Sequence, residues 1–162
     1  MNAILQLPTP ASARHRFEKF RSSLPLSVAQ ARRGFGGYIM FDFGTEQSRD
    51  AITNEPQYDW HLWVSMCDWD LYKGESRILW RRESDNALAG AILGQLAGER
   101  LLDVEHDSQD DCFVFVFSGG YRLNLDPDFY DYDASDDLFM LFEHNKHDCL
   151  SYSPGKHFYQ AA

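Results

Sequence analysis

The sequence predicts an α+β fold: a mostly antiparallel β-sheet, a meander free to curve, with one buried central helix and short N-terminal helices. Three observations predict it. Two runs, Trp60–Cys67 and Cys112–Phe117, alternate with the period of two that a strand imposes. Gly-containing breaks, Lys73-Gly74-Glu75-Ser76 and Ser118-Gly119-Gly120, separate short apolar runs as hairpin turns do. One stretch, 84–97, repeats its large apolar residues at helical spacing between a good N-cap and a glycine stop. With 162 residues, 44% of them hydrophobic and 25% charged, the chain has the size and composition of a single globular domain, 1–162.

Residues 1–11 carry Pro8 and Pro10 and read as extended. Ser12 caps a short helix to Ser22, with Phe17 and Phe20 one turn apart on one face. Pro25 ends that pattern, and Ser27 caps a second short helix from Val28 to Arg33. Residues 1–36 thus form a helical segment packed on the sheet. Tyr38–Phe43 is aromatic and β-branched and reads as a strand, followed by a polar loop over 44–57. In Trp60–Cys67 one face holds Trp60, Leu62, Val64 and Met66, the other His61, Trp63, Ser65 and Cys67. Leu71-Tyr72 and Ile78–Trp80 flank the first hairpin turn.

In the helix from Ser84 to Ala97, Leu88, Ile92 and Leu96 form one face and Ala87, Gly90, Ala91 and Gly94 the other. Apolar side chains all round predict burial on more than one side, large residues on the sheet and small ones beneath another backbone. Strands follow at Leu101–His106, Cys112–Phe117 and Tyr121–Leu125. In Cys112–Phe117 both faces are apolar, which predicts a strand covered on both sides. Leu138–Phe142, Leu150–Tyr152 and Phe158-Tyr159 complete the meander.

The net charge is −10, and it is unevenly placed. Residues 1–98 hold eleven basic and eleven acidic side chains; residues 99–162 hold fourteen acids against Arg100, Arg122, Lys146 and Lys156. Such a balance excludes a nucleic-acid footprint and an anionic membrane surface as partners, both of which need clustered Lys and Arg. It favours a basic protein or a divalent cation. No apolar run reaches the ~20 residues of a membrane helix, and no secretory leader is evident. The three cysteines, Cys67, Cys112 and Cys149, are odd in number and widely spaced, as in reduced thiols of a cytoplasmic protein.

The densest feature is the run from Asp126 to Asp137, with carboxylates at Asp126, Asp128, Asp131, Asp133, Asp136 and Asp137 and aromatics at Phe129, Tyr130 and Tyr132. As a calcium loop it fails at its centre: position 5 is Tyr130, position 6 is Asp131 instead of glycine, and position 12 is Asp137 instead of glutamate. As a partner-binding loop it is well composed, since carboxylates steer and pair with Lys or Arg and tyrosine supplies rigid contact area. The solvated-loop alternative leaves the same acids merely exposed. Cys67-Asp68-Trp69-Asp70 is able to extend that surface, although four tryptophans on neighbouring strands are first of all core residues. His144, His147 and Cys149 invite a zinc reading, but no second ligand pair stands at finger-like spacing. No nucleophile elbow, zinc-protease helix or phosphate loop occurs, so no enzyme and no cofactor is expected.

One block is similar to known proteins. Gly98-Glu-Arg-Leu-Leu-Asp-Val-Glu-His106, then Phe113-Val-Phe-Val-Phe-Ser-Gly-Gly-Tyr-Arg-Leu-Asn-Leu125, resembles a strand–hairpin block of bacterial families that include small acidic immunity proteins, and Trp60-His-Leu-Trp63 extends it upstream. These are cytoplasmic proteins of toxin–immunity systems, those of contact-dependent growth inhibition among them. The class shares no functional motif, so no residue role is carried over. What the resemblance implies is a mode of action: tight binding of a basic toxin domain, often a nuclease. The alternative is a divalent-metal-binding domain, hydrolytic in its stronger form.

Overall fold

The computed structural model describes residues 10–161. The expectation of an extended segment over 1–11 lies outside them up to residue 9 and is corrected at Pro10 and Ala11, which are helical, so the first helix starts before Ser12. Helix α1 (Pro10–Ser22) opens the chain, followed by β1 (Leu26–Arg33), β2 (Ile39–Arg49), β3 (Pro56–Val64), β4 (Asp68–Lys73) and β5 (Ser76–Trp80). Helix α2 (Asn86–Gly94) leads to β6 (Arg100–Asp107), β7 (Cys112–Phe117) and β8 (Tyr121–Asp126). A long connection then reaches β9 (Phe139–Glu143), β10 (Cys149–Ser153) and β11 (His157–Ala161). The strands form one antiparallel sheet in the order β11-β10-β9-β3-β2-β1-β6-β7-β8-β4-β5.

The α+β class and the antiparallel sheet agree with the sequence reading; the curvature is strong. Strand β1 is the hinge: Leu26 and Ser27 pair with β6, and Val28–Arg33 pair with β2. The sheet folds back there, so its two halves face each other. Phe41 of β2 stacks on Phe117 of β7 at 5.7 Å between ring centroids, and Phe113 of β7 meets Phe139 at 4.9 Å and Tyr152 at 4.7 Å. Period-two patterning supplies these rings: Phe113, Phe115 and Phe117, like Phe41 and Phe43, are buried while their neighbours in sequence turn outward.

Helix α1 closes the open end between the halves. Phe17 packs on Phe158 of β11 and on Phe113 of β7, and Phe20 packs on Phe43 and Trp60. Ion pairs Arg16–Asp148, Lys19–Glu143 and Arg21–Asp103 tie its polar side to both halves of the sheet.

Several expectations are corrected. Residues 28–33 are strand, not helix: Val28 and Ala31 are buried, and pairing with β2 across a bulge overrides the helix propensity of Ala, Gln and Arg. The N-terminal segment therefore contributes one helix and a strand of the sheet. The polar loop at 44–57 is largely a hairpin, because β2 runs to Arg49 and β3 starts at Pro56. Gly44 (φ +93°) permits it; a Cβ there would collide with Asp59, whose carboxylate accepts the Thr45 N–H at 2.8 Å.

Helix α2 is not central. Its N-cap is Asp85, accepting the Leu88 N–H at 3.0 Å, instead of Ser84. It buries Ala89 and Leu93, with Leu96 just past its end, against β1 and β5, while Leu88 is 45% exposed and the small residues Ala87, Gly90, Ala91 and Gly94 face solvent. The packed face follows the i, i+4, i+7 spacing of 89, 93 and 96, one residue out of phase with Leu88, Ile92 and Leu96. Strand β7 is likewise covered on one side only: Cys112, Val114 and Val116 are half-buried on the outer face.

Phe113 is fully buried among the rings of Phe17, His106, Phe139, Tyr152 and Phe158. Phe113→Ala is expected to lower stability by about 3–5 kcal/mol, measured as a reduced denaturant midpoint with unchanged m-value.

Candidate protein-binding face

The inner face of β4, β6, β7 and β8 is apolar; the outer face carries the acids. Side-chain parity and register align them in transverse rows. One row runs Glu105–Val114–Asn124–Asp70–Trp80. A second runs Asp103–Val116–Arg122–Tyr72–Arg77. A third joins Asp107 to Cys112, and sets Asp126 directly opposite Asp68. Two carboxylates opposed across adjacent strands repel, and such pairs destabilise a sheet. The Asp68 carboxyl is held above the usual Asp value of 3.8 mainly by burial, then by the charge of Asp70, with Asp128 and Asp126 adding less and Arg81 pulling the other way. Nearby, burial and a hydrogen bond to Asp126 push the Cys112 thiol up to about 12, so it is an inert thiol. His106 lies on the opposite side of the sheet, stacked on Phe113, so it forms no dyad with Cys112.

The connection from β8 to β9 is built around Arg81, whose side chain is 7% exposed. Its Nη2 donates to Asp128 Oδ2 at 2.7 Å and to Asp131 Oδ2 at 2.9 Å, and its Nη1 to the Cys67 carbonyl at 3.4 Å. The Tyr132 ring lies 5.3 Å from the guanidinium carbon, and Arg82 donates to Asp131 at 2.8 Å. Asp128 also accepts the backbone N–H groups of Tyr130 and Asp131. Burial raises its pKa, but those two N–H donors and Arg81 outweigh it, and the carboxyl is held below the usual value.

The eight sequence-predicted residues therefore divide. Asp128, Asp131 and Tyr132 converge on Arg81 and shape the loop. Asp133 accepts from Ser135, Asp136 accepts the Asp133 N–H at 3.0 Å, and Asp137 accepts from the Tyr159 hydroxyl at 2.5 Å. Asp126 belongs to the sheet face. Only Tyr130, 94% exposed, stands free as an aromatic anchor, and its neighbour Phe129, 64% exposed, joins it. Sequence reasoning placed Phe129 in the loop but not among its contacts, and it did not join Asp103, Glu105 and Asp107 to Asp68 and Asp70. The signal was present: 103, 105 and 107 alternate as 68, 70 and 72 do, but only the strand order β6-β7-β8-β4 makes them one surface.

Of the tryptophans, Trp60 and Trp69 are core, while Trp63 and Trp80 are half-buried on outer faces. Among the described residues no group of three or more His, Cys, Asp or Glu side chains is placed to hold a metal ion, and Cys149 of the suggested zinc set is buried. No described helix is long and apolar enough to cross a membrane. Comparison with protein-family profiles, with curated proteins and with solved structures finds no match to this chain.

Arg81→Met leaves the half-buried Asp128 and the Cys67 carbonyl without their donor and is expected to cost about 1–3 kcal/mol, read by chemical denaturation. The pH response has opposing limbs: burial, with Arg14 nearby, holds the His106 imidazole below its ordinary value of 6.5, so stability is lost as pH falls through 6.5 toward that lowered value. Asp68 and Asp137 are shifted up, so the folded state takes up their protons first and gains stability as pH falls through their raised values. Asp128 is shifted down; its contribution is complete above the ordinary Asp value of 3.8 and is lost as pH falls through its lowered one. Asp68→Asn should therefore raise stability at neutral pH by about 0.2–1 kcal/mol, and the gain should shrink as pH falls through the raised Asp68 value. Denaturant midpoints of both proteins across the pH range test this; an Asp68→Asn midpoint at or below that of the wild type at neutral pH would contradict it.

Proposed function

We propose that this protein is a cytoplasmic immunity protein that binds and neutralises a cognate basic toxin domain, in character a nuclease, through the acidic outer face of β4, β6, β7 and β8 and the adjoining 126–137 loop. The observation that carries the reading is the direct opposition of Asp68 and Asp126, whose neighbours Asp70 and Asp128 are already paired with Arg77 and Arg81. A fold gains nothing from concentrating like charge there; a cationic partner relieves it. Phe129 and Tyr130 supply apolar contact at the rim of the same region.

Within this reading the loop acids have two roles. Asp128 and Asp131 hold the loop in shape through Arg81, and the field that draws the partner in comes mainly from the strands. The protein is not an enzyme in this scheme and needs no cofactor, nucleic acid or membrane.

The reading requires that the neighbouring reading frame encode a large secreted protein ending in a basic domain, whose absence counts against it, and the binding test uses that domain. Asp68→Asn with Asp126→Asn should slow association by about tenfold at low salt, with the difference shrinking as salt rises. Phe129→Ser with Tyr130→Ser should instead speed dissociation. Protection of cells and association rates unaffected by all four substitutions would overturn the proposal.

A further inference from the structure

A cleft of about 730 Å³ opens between the end of β1, the glycine turn 34–37 and residues 83–90 at the start of α2. Arg33, Gly34, Gly37, Glu83 and Gly90 are among its walls, and Phe35, which borders it, is 96% exposed. The turn that carries this ring is pinned at both ends. The Gly34 N–H donates to the Tyr38 carbonyl at 2.7 Å, and the Gly37 carbonyl accepts from Trp69 Nε1 at 3.1 Å. An aromatic ring held out in water on a fixed turn is a contact prepared in advance, because little freedom is left to lose on binding.

The helix beside the cleft is uncharged from residue 86 to residue 97 in a chain of net charge −10. Gly90 and Gly94 lie within α2, and a Cβ on either would meet nothing within 4 Å. Glycine weakens a helix relative to alanine, so no contact inside the chain accounts for these two residues; a group from outside, brought close to the helix, does. The charges of the cleft say which. Arg33 donates to the Arg81 carbonyl at 3.0 Å and pairs with no carboxylate among the described residues, and Glu83 accepts the Asp85 N–H at 3.0 Å and pairs with no cation there. A uniformly basic partner is repelled by the one and a uniformly acidic partner by the other. A second copy, turned about a two-fold axis, sets each Glu83 toward the other copy's Arg33.

We propose that this surface joins two copies of the chain in an isologous dimer, with the Phe35 ring of each copy seated in the cleft of the other against Gly90, and with Glu83 of each facing Arg33 of the other. Ring and cleft lie side by side on one surface, so a single two-fold rotation fills both clefts and covers both rings. The contact uses no residue of the acidic face and does not depend on the immunity reading.

Sedimentation velocity of the full chain over a range of concentrations tests it, and a monomer–dimer equilibrium is expected. Phe35→Ser removes the ring and Gly90→Leu fills the cleft. Each should weaken dimerisation by about tenfold or more, with circular dichroism and a thermal melt showing that the monomer stays folded. Mixing the two variants separates this geometry from any other: the Gly90→Leu copy keeps its ring and the Phe35→Ser copy keeps its open cleft, so the mixture regains one of the two contacts and associates more tightly than either variant alone. A chain that is monomeric at every concentration, a dimer indifferent to both substitutions, or a mixture no tighter than its components would overturn the proposal.

Discussion

The Arg81 guanidinium joins three segments that are far apart in the chain. It reaches the Cys67 carbonyl between β3 and β4, and it reaches Asp128 and Asp131 in the connection between β8 and β9. Both segments cross from one half of the folded sheet to the other, and they are bonded to each other as well: the Ser65 N–H donates to the Leu138 carbonyl and the Met66 N–H to that of Asp137. A buried guanidinium is costly unless its donors are met, and here two carboxylates, a carbonyl and an aromatic face meet them. The constraint runs both ways. Arg81 needs the acids of the loop, and the loop keeps its shape because Arg81 is held by β5, where its N–H donates to the Trp69 carbonyl and its own carbonyl accepts from Arg33.

Around that junction the core is a matter of aromatic packing. Rings from both halves of the sheet interlock, and α1 adds Phe17 and Phe20 at the open end. An antiparallel sheet that curls on itself hides one face and leaves the other to water. Both outer faces consequently remain toward solvent, and they handle their acids differently. One concentrates Asp68, Asp70, Asp103, Glu105, Asp107 and Asp126; the other sinks a single carboxylate, Asp42, beneath Gln30, His61 and Arg32. Of the acids on the first face, Asp103 is paired with Arg21 and Asp70 with Arg77, while Asp68 and Asp126 oppose each other.

The acidic run at 126–137 shows how a conspicuous motif divides once folded. Its composition suggested a uniform charged surface. In the structure Asp128 and Asp131 are internal ligands of Arg81, Asp133 and Asp136 bind the loop's own backbone, and Asp137 holds Tyr159. What remains for a partner is the Phe129–Tyr130 tip and the neighbouring strands.

The sequence by itself determined the antiparallel class, both Gly-turn hairpins, the aromatic face of β7 and the acid excess of residues 99–162, because period-two alternation, turn residues and net charge are local properties. The strand at 28–33, the solvent-facing small side of α2, the pairing of Arg81 with Asp128 and Asp131, and the cross-strand row Gln30–Asp42–His61–Phe142 were decided only by the tertiary structure. Each depends on which strand lies next to which, and the strand order brings together residues 12 to 50 positions apart, a distance over which no local pattern carries information.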